Sequence, residues 1–211
     1  MIALDHLVVG ARTLEEGAQW VFARLGVMPA GGGKHPLMGT HNRVLRLGDA
    51  TYLEVIAVDP EAAAPSRARW FGLDSPEVRA RLERGPSLLH WVARTDDIER
   101  DATAAPVHMG AILEASRGDL RWRITVPREG TLPRDGIFPT FIQWDGPHPA
   151  TAMPESNCQL ESLQLSHPRG GALLAALRHL GLPSDAPVTT TDGDPQLLAR
   201  IRVGDDLIAL P

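Results

Sequence analysis

The chain holds a single cysteine, Cys158, among 211 residues. One cysteine forms no intrachain disulfide and no CxxC zinc pair. Lysine is equally scarce: Lys34 is the only one, and the remaining positive charge is arginine. That bias reads as composition and not as chemistry. The net charge is −5 and no stretch is strongly basic, which argues against a nucleic-acid backbone as the main partner. No run of about 18 apolar residues is present, so nothing in the sequence is expected to span a membrane. The opening MIALDHLVV has no basic segment leading into a long apolar stretch, so it does not read as a signal peptide. The expected compartment is the cytoplasm.

What is present is ordinary for a globular protein with a core: 43% hydrophobic and 22% charged residues. The length allows one large domain or two small fused modules. A repeat decides how to divide it. Residues 6–18 read HLVVGARTLEEGA and residues 90–102 read HWVARTDDIERDA, so a shift of 84 positions carries His6 onto His90, Val8 onto Val92 and Ala18 onto Ala102. Each copy starts as a strand and passes a polar N-cap (Thr13; Asp96 or Asp97) into a helical pattern. In the first copy Leu14, Ala18, Val21, Phe22 and Leu25 recur at helical spacing and Gly26 marks the stop. Further strands are expected at about 41–47 and 51–58, then at about 107–115, 119–127 and 137–144, with turns at Gly48-Asp49 and Gly118-Asp119. A third copy begins near Leu160 with a strand, a helix over about 170–180 and strands near 188–191, 197–203 and 206–210, but has no histidine at its start. The expected architecture is α+β: paired βαβββ modules (1–58 and 87–150) forming a curved mixed-sheet half-barrel, a linker with a short helix (59–86), and a third, incomplete β-α-β unit (151–211). Ser75-Pro76-Glu77 opens the linker helix.

Four residues stand at matched positions. His6 and His90 lie on the opening strands, and Glu54 and Gln143 on the closing strands. A pseudo-twofold pair of modules would bring such positions together. A carboxylate inside the apolar strand YLEVIAV is costly unless paired or metal-bound, and alternation puts Glu54 on one face with Tyr52 and Ile56. Two imidazoles, a carboxylate and an amide oxygen make a borderline-hard set suited to Fe, Mn, Ni, Co or Zn as divalent ions. His41, Arg43, Trp122 and Arg123 are candidate substrate contacts: arginine is the bidentate partner of a carboxylate and tryptophan offers a stacking face. The plainer reading is a rim or core histidine, a Glu54 paired with Arg43, and a Trp122 packed between outward arginines. His35, His108, His148, His167 and His179 read as surface or turn residues, and Cys158 as an inert linker thiol. The Pro/Gly-rich stretch 127–137 reads as a lid or a connector.

The strings LDHLVVGARTLEEG, GTHNRVLRLGDATYLEVIAVDP, LRWRITVP and PTFIQWDGPHPA resemble a bacterial glyoxalase-like domain family of the vicinal oxygen chelate superfamily, which includes glyoxalase I, extradiol dioxygenases and bleomycin-resistance proteins. The resemblance covers essentially the whole chain. It implies metal ligands at His6, Glu54, His90 and Gln143, with Glu54 also as the catalytic group. It points to a divalent-metal-dependent lyase, isomerase or dioxygenase acting on a small, anionic or oxygen-chelating substrate. Gln143 departs from the glyoxalase I pattern, where a glutamate serves as base, and that weakens the glyoxalase I reading itself. Two other readings stand beside it: a metal-free small-molecule-sequestering protein of the bleomycin-resistance type, and a ligand-free scaffold that forms a homodimer through an exposed sheet edge.

Overall fold

The computed structural model describes residues 1–211. The first module runs β1 (Ile2–Gly10), α1 (Leu14–Leu25), β2 (Ala30–His35), β3 (Thr40–Arg46) and β4 (Tyr52–Val58). A linker carrying α2 (Pro76–Glu83) leads to the second: β5 (Ser87–Thr95), α3 (Ile98–Ala104), β6 (Ala111–Arg117), β7 (Leu120–Val126) and β8 (Thr140–Asp145). The helices start where the sequence places their caps. Thr13 accepts from the Glu16 N–H, Ser75 from Val78 and Asp97 from Arg100, each supplying an acceptor to one of the orphan N–H donors of a helix start. Gly26, at φ 67°, closes α1 in the left-handed conformation.

The two modules share one eight-stranded sheet in the order β2-β3-β4-β1-β5-β8-β7-β6. Within each module the first strand pairs in parallel with the last, and β1 meets β5 antiparallel at the centre. The register aligns Leu7 with Trp91, His6 with Val92 and Val8 with His90. The local twofold axis therefore passes beside Leu7 and Trp91, with the two histidines one step to either side. The sheet curls until its edge strands, β2 and β6, approach each other.

Alternation gives this sheet two apolar faces. Leu7, Val9, Leu53, Val55, Trp91 and Phe141 point to the back, and Val8, Ile56, Val92, Ile124 and Ile142 to the front. The back core is shared with the third unit, β9 (Cys158–Ser166), α4 (Gly170–His179), β10 (Val188–Thr191), β11 (Gln196–Val203) and β12 (Asp206–Leu210). Each fully buried Leu or Ile there contributes roughly 1.5–3 kcal/mol. The third unit repeats the element order of the modules, yet its strands pair as β10-β9-β11-β12, with β10 directly parallel to β9. Cys158 is the first residue of β9 and is buried, not a linker thiol. The Gly-rich segment 30–35, where the sequence predicts no strand, is the edge strand β2; its glycines give no apolar alternation to read.

β1 carries one irregularity that matters. Its pairing with β5 skips Asp5, between Leu4 and His6. Such a bulge shifts the alternation by one residue. Ile2 and Leu4 face the back before it, and Leu7 and Val9 after it. Asp5 and His6, though adjacent in sequence, both turn to the front.

Candidate functional site

The concave front of the sheet holds a hollow. Its floor and walls come from His6, Tyr52 and Glu54 on the first module and from Trp122, Ile124, Ile142 and Trp144 on the second. His35, Asn42 and Arg117 line one side, and Trp70 and Phe71 of the linker cover it. All of the sheet residues have the parity that faces front.

A polar chain crosses this hollow. Arg117 donates to Asn42 Oδ1 at 2.7 Å, and Asn42 Nδ2 donates to Glu54 Oε1 at 2.5 Å. Glu54 Oε2 lies 3.6 Å from His6 Nε2, and His6 Nδ1 lies 2.6 Å from Asp5 Oδ1. Asp5 Oδ2 accepts from Trp144 Nε1 and from His148 Nε2, both at 2.9 Å. Burial by itself raises the Asp5 carboxyl. Hydrogen bonds from His148 and His6 outweigh that and hold it below the ordinary carboxylate range, so Asp5 is ionised. An ionised Asp5 fixes the proton of His6 on Nδ1 and leaves the Nε2 lone pair facing Glu54. The 3.6 Å separation is too long for a hydrogen bond and leaves the pair free to act on a third group. His6 also stacks on Tyr52, with ring centres 4.6 Å apart.

The second module repeats the first half of this arrangement and not the second. His90 faces front, but both its nitrogens are taken. Nδ1–H donates to Gly136 O at 2.9 Å, and Nε2 accepts the Thr140 N–H at 3.0 Å with Thr140 Oγ1 at the same distance. Burial pushes its pKa down to about 4, which keeps it neutral. The ladder explains the partner. Val8 pairs with Glu54 and its repeat mate Val92 pairs with Thr140. The structural counterpart of Glu54 is therefore Thr140 and not Gln143, which lies three residues further on.

Gln143 has the opposite parity and sits on the back face. There its Oε1 accepts from Ile98 N and Arg123 Nη2, and its Nε2 donates to Asp96 O. Arg123 lies beside it and pairs with Glu99; Arg43 is on the back face too and pairs with Glu15 on α1, not with Glu54. His41 shares that face, beside Asp59 and Lys34. Of the eight residues singled out from sequence, the fold brings His6, Glu54 and Trp122 into the hollow. It places His90 behind Phe71, with ring centres 5.7 Å apart.

The divalent metal implied by the resemblance can be tested on these residues. A ligand set needs at least three converging donors. No group of three His, Cys, Asp or Glu side chains meets that need. Two donors, His6 and Glu54, converge. The third candidate has no free nitrogen, the fourth faces away, and Ile142 and Trp144 occupy the front of β8. The residues present do not fit a resident metal.

Several participants escaped the sequence reading. His35 and His148, expected at the surface or in turns, are buried or nearly so and take part: His35 lines the hollow, with its pKa lowered to about 4 by burial, and His148, which caps the turn at 149–152, braces Asp5. Asp5 and Arg117 carried no signal, because a bulge and a crossing of the sheet mouth are not periodic features.

Paired βαβββ modules curled around a front hollow define the architecture of the vicinal oxygen chelate superfamily. Residues 4–181 match the sequence model of the family described as "Glyoxalase-like domain", and the chain belongs to that family. The match ends just after α4, so the last three strands lie beyond it. No curated protein matches the chain in sequence. Among solved structures, a hypothetical protein from Staphylococcus aureus is 14% identical with a TM-score of 0.62, over 92% of this chain and 88% of that one. Methylmalonyl-CoA epimerase from Streptomyces coelicolor, in complex with 2-nitronate-propionyl-CoA, is 17% identical with a TM-score of 0.44, over 70% of this chain and 100% of that one. Methylmalonyl-CoA epimerase from Mycobacterium tuberculosis is 16% identical with a TM-score of 0.42, over 72% and 92%. No helix of the protein is long and apolar enough to cross a membrane.

Proposed function

We propose that the hollow is a small-molecule site in which Glu54 and His6 move a proton on a carbon acid without a resident metal. The observation that carries this reading is the facing pair itself: Glu54 Oε2 and His6 Nε2, 3.6 Å apart among aromatic walls, with ionised Asp5 behind the imidazole. The Glu54 carboxylate takes a proton from carbon beside a carbonyl; the C–H electron pair becomes the C=C bond as the carbonyl π pair moves onto oxygen. His6 Nε2 relays that proton to the oxygen, giving the enol with no net gain or loss. Asp5 stabilises the imidazolium present while His6 carries the proton. General acid–base catalysis of this kind supplies about 10²–10⁴-fold.

The test is exchange of C–H protons in D2O with EDTA present, followed by proton NMR for phenylpyruvate, 2-oxobutyrate and dihydroxyacetone. Exchange above buffer is expected for at least one, with a loss of about 10²-fold or more in Glu54→Gln. No exchange for any of them, or exchange abolished by EDTA, contradicts the proposal.

The narrowness of the hollow favours a second reading, sequestration without chemistry. Room for about one water molecule, about 20 Å³, is left inside. In that case a bound ligand raises the melting temperature equally in the parent protein and in Glu54→Gln, with or without chelator.

A further inference from the structure

We infer that the ligand of this hollow is a flat aromatic carboxylate, held by Arg117 and the indole N–H of Trp70 and admitted when the Trp70–Phe71 segment moves aside. The inference rests on the hollow being a small-molecule site, and not on proton transfer within it. Arg117 is the one cation lining the hollow. It is half-buried, reaches across the sheet mouth from the end of β6, and donates to the neutral Asn42 amide; no carboxylate pairs with it. A guanidinium with donors to spare in a partly dry site selects a carboxylate or similar planar oxyanion. Trp70 is 4% exposed, and its Nε1–H has no acceptor. A buried donor without a partner is a rare defect, and a ligand oxygen repairs it. Trp122 and Trp144 then offer faces for a ring.

The sheet residues around the hollow are held in strand ladders, and the interior has room for about one water. A ring therefore enters only if the non-strand wall yields. That wall carries its own strain: Phe71, buried and bulky, has φ 57°, and Gly72 after it has φ 67°. The segment is tied to the end of β7 and the loop after it by Gly72 N–H to Gly130 O at 2.8 Å and by Arg67 to the carbonyls of Val126 and Pro127, both at 3.1 Å. Gly130 lets them touch, since a Cβ there would fall 1.9 Å from Arg69 O. The loop thus braces the cover.

Isothermal titration of the full chain with phenylpyruvate, benzoate and 4-hydroxybenzoate, set against the neutral phenylacetone, tests this. At least one carboxylate is expected to bind at least tenfold more tightly than phenylacetone. Arg117→Gln should weaken that carboxylate at least tenfold and leave phenylacetone unchanged. Trp70→Phe, which keeps the ring and removes the N–H, should weaken it about threefold or more. Arg117→Lys controls for folding and should recover part of the loss. If no carboxylate binds at millimolar concentration, if phenylacetone binds as well, or if Arg117→Gln has no effect, the inference is overturned. Arg117-dependent binding without proton exchange leaves it standing and removes only the proposed chemistry. Exchange that depends on Glu54 but ignores Arg117 does the reverse.

Discussion

The two modules offer the same residue on either side of one axis, His6 and His90, and treat it differently. In the first, the matched position on the closing strand is Glu54, which leaves His6 Nε2 unbonded and facing a carboxylate at 3.6 Å. In the second it is Thr140, whose N–H and hydroxyl both engage His90 Nε2, while Gly136 O takes the other side of the ring. The lesson is that a repeat transmits positions and not roles. One histidine is available for chemistry, and the other is a strut that fixes the turn before β8 to the centre of the sheet.

The largest effect of a single substitution on stability should come from removing the strut. His90→Ala strands Gly136 O and the Thr140 N–H in a dry interior and leaves a cavity, for a loss of roughly 4 kcal/mol in urea unfolding. Ligand binding in the surviving folded fraction should be unchanged; a binding defect without a stability defect would break the comparison. Acid should act next. His35 and His90 are held at about 4 in the folded protein against about 6.5 unfolded. Between those values the unfolded chain binds more protons, so stability falls as pH falls, by about 3 kcal/mol for each ring at pH 4. Asp5, held low in the fold, extends the loss below that. Urea midpoints at pH 7, 5.5 and 4 measure it, and His90→Phe should remove about half of the change above pH 4.

A smaller and sharper effect is expected from Thr140→Glu. It supplies the carboxylate the second module lacks and withdraws the hydroxyl from His90. Zn²⁺ should then raise the melting temperature of the variant by a few degrees and leave the parent unmoved. No response would mean that Thr140 is not the counterpart of Glu54. The smallest effect belongs to Gln143→Ala, which loses back-face hydrogen bonds worth about 1 kcal/mol and should not change the hollow at all.

Much of this was legible in the sequence. The repeat at 84, the cap at Thr13, a second cap at Asp96 or Asp97 (the fold uses Asp97), and the shared face of Tyr52, Glu54 and Ile56 all follow from periodicity and local chemistry. The pairing of Glu54 with Gln143 did not follow. The stretches between helix and closing strand differ in length between modules, and a three-residue offset in a period-two element exchanges front for back. Asp5 was hidden for a related reason: in a regular strand Asp5 and His6 would face opposite ways, and only the skipped pairing shows that the two neighbours share a face. Arg117 and Trp70 reach the hollow through curvature of the sheet and a turn in the linker, neither of which leaves a local pattern.

The central claim, that only the first module presents a free imidazole, is tested most directly by nitrogen-15 NMR of the histidine rings during stepwise addition of Zn²⁺ at pH 7. The expected spectrum shows His90 as a neutral ring protonated on Nδ1 whose signals stay fixed throughout. If His6 and His90 Nε2 shift together and saturate at one equivalent of metal, the two halves act as one ligand set and the account is wrong.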